Sequence, residues 1–348
     1  MGTGMDDPAA AKPTLRDVAL AAGVHIATAS RALSGSKTRP VNPRTAAAVR
    51  QAAAKIGYVP DQVARSLRTH RTRAIGVLIP DMSNPVMPPL VSGAEQVLAQ
   101  HGYTTLFADT DNDHAAETQR LAAFLSWRAA GLILATARRD QPLAPEVVNS
   151  GVPLVLMSRK LDATPVPSAT IDESVGIAQA LDYLISLGHR RIAYIGVPTW
   201  TSAGYERLMA FREITRDRGL DLPPDFAVVC EGYAERDGEA ALTALLARPD
   251  RPTAVLSGND MMALGCYDAI RRAELRCPAD VSVVGYNDMP LTHRVDPPLT
   301  TVRVPYFDLG RQAATLLVEV LNDRGSMNRS VRLTPRLLVR NSTAPASA

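Results

Sequence analysis

The chain has 348 residues, of which 46% are hydrophobic and 21% are charged, and its formal net charge is +3. This length exceeds what one hydrophobic core usually accommodates, so we expect two or three domains. No stretch approaches the roughly 20 consecutive apolar residues of a membrane-spanning helix, and the first residues lack the apolar segment of a secretory signal. The three cysteines lack metal-ligand spacing. We therefore expect a cytoplasmic protein with no membrane contact, no metal and no cofactor.

The N-terminal part of the chain predicts three short helices. Thr14 can cap the first helix with its hydroxyl, and Gly23 can end it because glycine adopts the left-handed conformation without steric cost. A second helix follows over about residues 25–33, and Asn42 and Gly57 bound a third. An alanine where two helices cross, followed four residues later by a glycine at the turn, is the helix-turn-helix pattern. The first helix carries one apolar stripe, formed by Leu15, Val18, Ala19 and Ala22.

The positive charge is concentrated at the same end of the chain. Residues 1–73 contain 12 lysines and arginines against 4 acidic residues, whereas the remainder contains 26 against 31. A helical hairpin that only packs a core is the alternative interpretation of these helices. The basic charge favours a polyanion, and hence nucleic acid, as the partner.

Several segments resemble the lactose-repressor/galactose-repressor family of bacterial transcription factors. The N-terminal ones are TLRDVALAAGV, TASRAL and YVPDQVARSL; later ones are GHRRIAYIG, YERLMAFRE, RPTAVLSGNDMMALG and VSVVGYNDMPL. The resemblance implies an effector-responsive, sequence-specific DNA-binding regulator, a repressor, that binds a pseudo-palindromic operator as a homodimer. No leucine heptads follow Arg340, so we expect a dimer rather than a tetramer.

The resemblance also places candidate DNA-binding residues on the second helix. Side chains near the start of such a helix reach base edges in the major groove. Arg31 carries a forked donor that matches guanine O6 and N7, and the resemblance gives it this role. Ile26 and Ala27, at the positions of variable base readers, are apolar and can sense shape or a thymine methyl. The other candidates are Thr14, His25, Thr28 and Ser30. The hydroxyls of the two threonines and of the serine suit phosphate contacts.

A short amphipathic run over residues 61–68 resembles the hinge helix of the family, which folds on the operator. Leu67 matches the leucine that wedges between base pairs in the minor groove, and Ala64 matches the small residue that permits close approach of the partner hinge. A basic linker without regular structure is the alternative interpretation of this segment.

From Ala74 onwards, short apolar runs alternate with amphipathic segments. This alternation predicts parallel sheets covered by helices on both faces. Together with the resemblance it predicts an all-α helix-turn-helix headpiece followed by an α/β, periplasmic-binding-protein-like core of two doubly wound parallel-sheet lobes. The candidate strands are 74–79, 104–108, 131–135, 153–157, 191–196, 253–257 and 281–286.

Pauses in the strand pattern near residues 163–167 and 296–298 indicate crossings between the lobes. The predicted divisions are tails at 1–13 and 343–348, a headpiece at 14–59, a hinge helix and linker at 60–73, a dimerising lobe one at 74–163 and 297–328, and an effector-binding lobe two at 164–296 and 329–342.

Ligands of such folds bind at the carboxyl ends of the strands, in the cleft. The resemblance implies that Arg207 clamps oxygen atoms of the effector and that Asn259 hydrogen-bonds to it. Asn287 stands where many relatives have aspartate, which binds sugar hydroxyls strongly, so we expect a sugar or another small metabolite as the effector rather than a sugar alone. Val86 and Met87 replace aromatic residues of the relatives. The predicted effector-binding set is Val86, Met87, Ser158, Arg159, Ala203, Arg207, Tyr233, Asn259 and Asn287.

Two other classes of protein are alternatives to a regulator: an enzyme and a transport-type binding protein. An enzyme that uses the same clamshell would need catalytic motifs, and the chain has no GxSxG sequence, no Walker loop and no metal-spaced histidines. A transport-type binding protein does not account for the basic N-terminal segment. The sequence leaves open the effector, whether it induces or co-represses, and the regulated genes.

Overall fold

The computed structural model describes residues 13–34, 40–58, 72–322 and 329–346. The chain divides into two compact units, residues 1–72 and residues 73–348. Within the described ranges, no helix is long and apolar enough to cross a lipid bilayer. The predicted hinge helix with Ala64 and Leu67 lies outside the described residues, as do the first 12 residues.

The first unit contains three helices, α1 (Leu15–Ala21), α2 (Ile26–Ser34) and α3 (Pro43–Lys55). The predicted caps are confirmed. Thr14 accepts a hydrogen bond from the backbone of Asp17, whose carboxylate accepts one from the Thr14 backbone in return. Asn42 caps α3 through a hydrogen bond from the Arg44 backbone, and Gly57 follows α3 with a φ of +67°. The helices enclose a small core of Val18, Ala19, Ala29, Ala32, Val49 and Ala53.

The second unit contains two six-stranded sheets. The first sheet, which defines lobe one, is parallel throughout and has the order β11-β5-β4-β3-β1-β2. Its strands are β1 (Ala74–Ile79), β2 (Thr104–Asp109), β3 (Gly131–Leu134), β4 (Leu154–Met157), β5 (Ser168–Ile171) and β11 (Ser330–Leu333). Helices α4 (Met87–Gln100), α5 (His114–Ser126), α6 (Pro145–Ser150) and α11 (Tyr306–Asn322) belong to this lobe.

The second sheet, which defines lobe two, has the order β12-β10-β9-β8-β6-β7, and only its edge strand β12 runs antiparallel. Its strands are β6 (Ile192–Gly196), β7 (Ala227–Val229), β8 (Ala254–Ser257), β9 (Ser282–Asn287), β10 (Thr300–Arg303) and β12 (Arg336–Leu338). Its helices are α7 (Glu173–Ser186), α8 (Ser202–Asp217), α9 (Glu235–Leu246) and α10 (Asp260–Arg272). The predicted pair of parallel-sheet lobes is confirmed.

The predicted positions of the crossings between lobes are wrong. The chain crosses after β5, again between β10 and α11, and a third time between β11 and β12. The predicted lobe boundaries therefore misassign β5, β10 and β11. Each proline-rich pause in the sequence is a loop that leads to one more strand of the same sheet. Those strands escaped prediction because none of them is a continuous apolar run: β5 and β10 are rich in serine and threonine, and β11 contains a serine and an arginine.

The predicted C-terminal tail is also wrong over residues 343–346. The Thr343 hydroxyl lies 2.9 Å from the Tyr183 hydroxyl, and the backbone N–H of Ala346 donates to the Leu187 carbonyl at 2.8 Å. The Ala344 backbone N–H donates to Ser282. These bonds fasten the end of the described chain to the α7 side of lobe two. Hydrogen bonds between residues so far apart in sequence leave no local pattern.

Two glycines let α4 and α11 cross with their backbones in contact. A Cβ atom on Gly93 would collide with the carbonyl oxygen of Phe307, and one on Gly310 would collide with the carbonyl oxygen of Leu90. The crossing therefore accepts no side chain at either position. It also fixes the first residues of both helices, Met87 and Tyr306, at the carboxyl end of the first sheet.

We predict that Gly310→Ala destabilises the core unit, although Gly→Ala stabilises an ordinary exposed helix position. The added methyl group must push the two backbones apart, and overpacking of this kind typically lowers the free energy of unfolding by about 1–3 kcal/mol. Urea denaturation of the purified protein measures the change.

Gln312→Ala, at an exposed position of the same helix, is the matched control and should change the free energy of unfolding by less than about 0.5 kcal/mol. Equal stability of the Gly310→Ala variant and the parent protein would show that the helices do not approach as closely as described.

Candidate functional sites

The start of α2 presents three exposed predicted residues, His25, Ile26 and Ala27. The ring Nδ1 of His25 accepts a hydrogen bond from the backbone of Ala27 at 3.2 Å, so His25 caps the helix. Ile26 leaves 42% of its surface exposed. The helix therefore offers an apolar tip next to a polar cap.

The Arg31 side chain lies along α2 and points towards that tip. Its Nε donates to the Ala27 carbonyl oxygen at 3.1 Å, and its Nη2 donates to the Thr28 hydroxyl at 3.3 Å. Thr28, Ser30 and Arg31 are half-buried. The predicted recognition residues thus lie on one end of one helix, whereas Thr14 lies at the start of α1 with its hydroxyl bonded to Asp17.

A cleft with a free volume of about 100 Å³ lies between the carboxyl ends of the two sheets. All nine residues of the predicted effector-binding set line it. The other lining residues are Pro80, Asp81, Asn84, Asn112, Ala135, Val197, Thr201 and Tyr306. A larger, shallower groove of about 580 Å³ lies at the C-terminal end of α8, away from the carboxyl ends of the strands.

Arg207, on α8, is the most extensively bonded residue of the cleft. Its Nε and Nη2 donate to the two carboxylate oxygens of Glu173, at 2.7 and 3.1 Å, and its Nη1 donates to the Gly258 carbonyl oxygen at 2.7 Å. The guanidinium stacks on Tyr286, with its central carbon 3.8 Å from the ring centroid. The Tyr286 hydroxyl donates to the same carboxylate. Arg207 is therefore a neutralised cation held in one orientation.

Burial alone would lower the pKa of Arg207, but the Glu173 carboxylate reverses this effect and holds the pKa well above its ordinary value. The two side chains are 7% and 3% exposed, so water screens their attraction little. Loss of either partner would leave the other as an uncompensated buried charge.

Asn287 is the last residue of β9 and Asn259 follows the end of β8 by two residues, and their side chains are engaged differently. Asn259 caps α10 by accepting from the Met262 backbone at 2.7 Å, and it donates to the Tyr233 carbonyl oxygen. Asn287 has a φ of +116°, and its amide oxygen accepts from the Tyr306 hydroxyl at 2.7 Å. Asn259 therefore organises the wall of the cleft, whereas the amide nitrogen of Asn287 points to no partner among the described residues.

The lobe-one wall combines apolar and cationic groups. Val86 and Met87 are buried at the start of α4. Ser158 has a φ of +66° directly after β4, and Arg159 follows it with only 8% of its surface exposed. The Arg159 Nη1 donates to the Thr136 carbonyl oxygen at 3.2 Å. Burial lowers the pKa of Arg159, and the charge of Arg138 adds to that effect.

Trp200, which the sequence analysis missed, lies between the two walls. It belongs to the loop between β6 and α8 in lobe two, while Arg138 and Arg159 of lobe one lie over its ring, with guanidinium carbons 4.1 and 5.1 Å from the centroid. The edge of Tyr233 packs against it at a centroid distance of 6.3 Å. An aromatic residue in a loop belongs to no helix or strand pattern, so the sequence could not predict that Trp200 lies at the cleft.

Further contacts join the lobes beside Trp200. The Arg139 backbone N–H donates to the Trp200 carbonyl oxygen at 3.0 Å, and the Lys160 backbone N–H donates to the Ser202 hydroxyl at 2.9 Å. The Lys160 ammonium pairs with Glu206. The two lobes are thus fastened along one side of the cleft.

Glu173, Tyr286 and Tyr306 also escaped prediction. Because β5 was not predicted, the sequence did not indicate that Glu173 lies just after the end of a strand. The two tyrosines fit the apolar patterns of a strand and a helix, so the sequence did not indicate a polar role. The Tyr286 hydroxyl donates to Glu173, and the Tyr306 hydroxyl donates to Asn287.

His189 and the three cysteines occupy structural positions in the core. His189 is buried, and its two ring nitrogens lie 2.9 Å from the Thr253 hydroxyl and 3.0 Å from the Ala344 carbonyl oxygen. Burial raises the pKa of each cysteine thiol, to about 11 for Cys230. Across the part of the chain that the structure describes, no group of three or more potential ligands could hold a metal ion.

Comparison with known proteins agrees with this architecture. Residues 14–61 match the family of bacterial regulatory proteins called the lacI family, and residues 181–343 match a periplasmic binding protein-like domain. The ribose operon repressor of Escherichia coli (strain K12) is 34% identical over 94% of this chain and 99% of its own length.

Two solved structures resemble the whole chain. The complex of the transcriptional regulator CelR with cellobiose is 32% identical, with a TM-score of 0.73 over 95% of this chain and 100% of that one. The lac repressor dimer bound to operator and the anti-inducer ONPF is 27% identical, with a TM-score of 0.84 over 96% and 99%.

A helix-turn-helix unit joined to a two-lobed core with a ligand cleft defines an effector-responsive, DNA-binding repressor. The chain belongs to the LacI family of bacterial regulatory proteins.

We predict that Arg207 and Glu173 are strongly coupled in stability. Arg207→Met and Glu173→Gln should each lower the free energy of unfolding by about 3–5 kcal/mol, because each leaves the other charge buried and unpaired. The double variant should lose less than the sum of the two. Urea denaturation of the four proteins gives the coupling.

Arg218 and Asp182 form the matched control, since they also join α8 to α7 but are 45% and 49% exposed. Breaking that pair should lower the free energy of unfolding by at most about 1 kcal/mol. Additive effects at Arg207 and Glu173 would contradict the described geometry.

Proposed function

We propose that this repressor acts in the cytoplasm as a homodimer on a pseudo-palindromic operator, without catalytic activity, and that a small metabolite bound between the lobes changes its affinity for DNA. The convergence of nine separately predicted side chains on one cleft carries this proposal. The relatives support it, because the solved complexes hold a disaccharide in one case and an operator with an anti-inducer in another.

In this proposal α2 enters the major groove with its N-terminal end towards the bases. Ile26 and Ala27 form the exposed apolar tip and contact thymine methyl groups or follow groove shape, while Arg31 donates to a guanine. Arg31 leaves its contacts with Ala27 and Thr28 to do so. His25 and the hydroxyls of Thr14, Thr28 and Ser30 position the helix on the phosphates.

The hinge segment around Ala64 and Leu67 couples the headpiece to the core in this proposal. Eight residues are too few for a stable isolated helix, so DNA and the partner hinge drive its folding. Leu67 wedges between base pairs, and Ala64 lets the two hinge helices approach each other. Effector binding alters the spacing of the two hinges, with a coupling free energy of about 1–3 kcal/mol that must be reciprocal.

The effector contacts in this proposal come from both walls of the cleft. Arg207 presents its remaining N–H groups from a fixed orientation, Asn287 presents its amide nitrogen, and Tyr233 contributes an aromatic face. Val86 and Met87 supply apolar contact from lobe one, beside Ser158 and Arg159, and Ala203 leaves space for the ligand. His189 has a structural role through its two bonded nitrogens.

We predict that Arg31→Ala weakens operator binding by about 1–3 kcal/mol and relaxes the preference at one guanine position. Removal of the forked donor deletes a base contact, so operators with and without that guanine should become equivalent. Fluorescence anisotropy with a set of single-base operator variants measures both effects.

Arg50→Ala is the control for loss of charge, because Arg50 is exposed on α3, outside the recognition helix. It should weaken all operators equally, if at all. Uniform weakening by Arg31→Ala as well would reduce Arg31 to a phosphate contact.

We predict that Leu67→Ala weakens operator binding but leaves effector affinity of the DNA-free protein unchanged. The wedge acts only on the unstacked base step, which takes a few kcal/mol to open. Anisotropy with operator and calorimetry with effector, on the same preparation, separate the two quantities. A variant that keeps operator affinity but loses effector binding would refute this division of roles.

A further inference from the structure

Arg159 differs from the other cations at the cleft in having almost no partners. It is nine-tenths buried, yet its Nη1 bond to the Thr136 carbonyl oxygen is the only hydrogen bond it makes within the described ranges. A guanidinium has five N–H donors. A buried cation in this condition is unfavourable unless an anion joins it.

The neighbouring cations are already neutralised. Arg207 is bound by Glu173 on two atoms, Arg139 pairs with Asp162 at 2.8 Å, and Lys160 pairs with Glu206. Arg159 and Arg138 form no ion pair with any described residue. These two arginines therefore keep guanidinium N–H groups on the lobe-one wall that no described carboxylate contacts.

The nearby carboxylates offset part of the arginines' positive charge, but neither forms an ion pair with Arg159. Glu117 acts on Arg159 electrostatically, but its carboxylate accepts the Thr136 hydroxyl, and burial still lowers the pKa of Arg159. Asp81, the one carboxylate among the residues that line the cleft, accepts from the backbone and hydroxyl of Ser83 at 2.8 and 2.6 Å. Neither carboxylate hydrogen-bonds to Arg159, so the remaining N–H groups of Arg159 stay available to a ligand.

Trp200 brings the two arginines onto one aromatic ring, where they repel each other. The ring attracts each guanidinium through its π-electrons, but it supplies no counter-charge. An anion beside Arg159 would relieve the repulsion while the ring still holds both cations. Because the arginines belong to lobe one and Trp200 to lobe two, such an anion would also strengthen the contact between the lobes.

Two further polar atoms at the cleft are buried without a hydrogen-bond partner among the described residues. They are the Tyr233 hydroxyl and the Asn112 side-chain oxygen. The tyrosine can donate to an anion near Arg159, and the asparagine oxygen can accept from a hydroxyl group of the same ligand. Buried polar groups left unpaired in this way are unfavourable until a ligand satisfies them.

We propose that the effector carries an anionic oxygen group, a carboxylate or a phosphate, which binds Arg159 with help from Arg138 and the Tyr233 hydroxyl. This inference rests on the proposed role of the cleft as the effector site, and it narrows the effector from sugars in general to anionic metabolites. A neutral sugar would satisfy the polar atoms but would leave the positive charge unpaired.

The test uses full-length, DNA-free protein in a Trp127→Phe background, so that Trp200 is the remaining tryptophan and its fluorescence reports on the cleft. The probes are inorganic phosphate and the matched set D-ribose, D-ribonate and D-ribose 5-phosphate. We expect a saturable response to inorganic phosphate in the millimolar range and tighter binding of at least one anionic ribose derivative than of ribose. The acid and the phosphate ester separate the two kinds of anion.

Arg159→Gln should weaken anion binding by about tenfold or more, as expected for loss of a charged hydrogen-bond donor. Arg159→Lys should retain part of the affinity because it keeps the charge, and Arg216→Gln, at a side chain that is 76% exposed, should have no effect. Thermal unfolding gives a second readout. Without anion, the Arg159→Gln variant should be at least as stable as the parent, and phosphate should raise the Tm of the parent alone.

Failure of every anionic probe to produce an Arg159-dependent change would overturn the proposal. Equal or tighter binding of ribose, unaffected by Arg159→Gln, would overturn it too. Operator binding is measured separately by anisotropy. If the parent protein bound the anion but bound no operator, the proposed regulatory function would be refuted and the anion site would stand.

Discussion

Burial of the Arg207–Glu173 pair constrains the whole of lobe two around the cleft. A charge withdrawn from water requires partners in good geometry, and Arg207 obtains them from the start of α7 and from Gly258, just after β8. Tyr286 on β9 closes the arrangement beneath the guanidinium. Two helices and two strand ends are therefore held in register by one side chain, and a ligand meets a wall that is already ordered.

The lobe-one wall is built on a different principle. Its apolar residues are buried in the core, while its incompletely paired arginines combine backbone contacts within lobe one with stacking on Trp200 of the opposite lobe. Lobe two thus supplies hydrogen-bonding groups in a fixed geometry. Lobe one supplies arginine side chains whose contacts would change when a ligand occupied the cleft. Such asymmetry lets occupancy change the contact between lobes without disturbing the core of either one.

Local signals explain which parts of this structure could be predicted. Thr14 marks a helix start through its side-chain hydroxyl and Gly23 marks a helix end through its positive φ, and the strands β1 and β9 are indicated by their apolar composition. The cleft residues were predicted through the resemblance to the family, because their own sequence segments resemble those that bind the effector in the relatives. In contrast, β5 and β10 depend on pairing with distant strands. Glu173 and Trp200 acquire their roles only when separate segments meet, so neither could be predicted from the chain alone.

The three crossings between the lobes lie side by side, and this determines how the core can move. Ile171 pairs with Leu333 where two strands leave the first sheet, and Arg303 pairs with Arg336 where two strands of the second sheet meet the same junction. Three adjacent connecting segments bend more readily about one axis than they twist or slide. Since these segments lie at one edge of each sheet, displacement grows with distance across the sheet order and is largest at β2 and β7. A rotation of one lobe about these three segments would therefore separate the opposite edges of the two sheets most, while it left the segments themselves nearly in place.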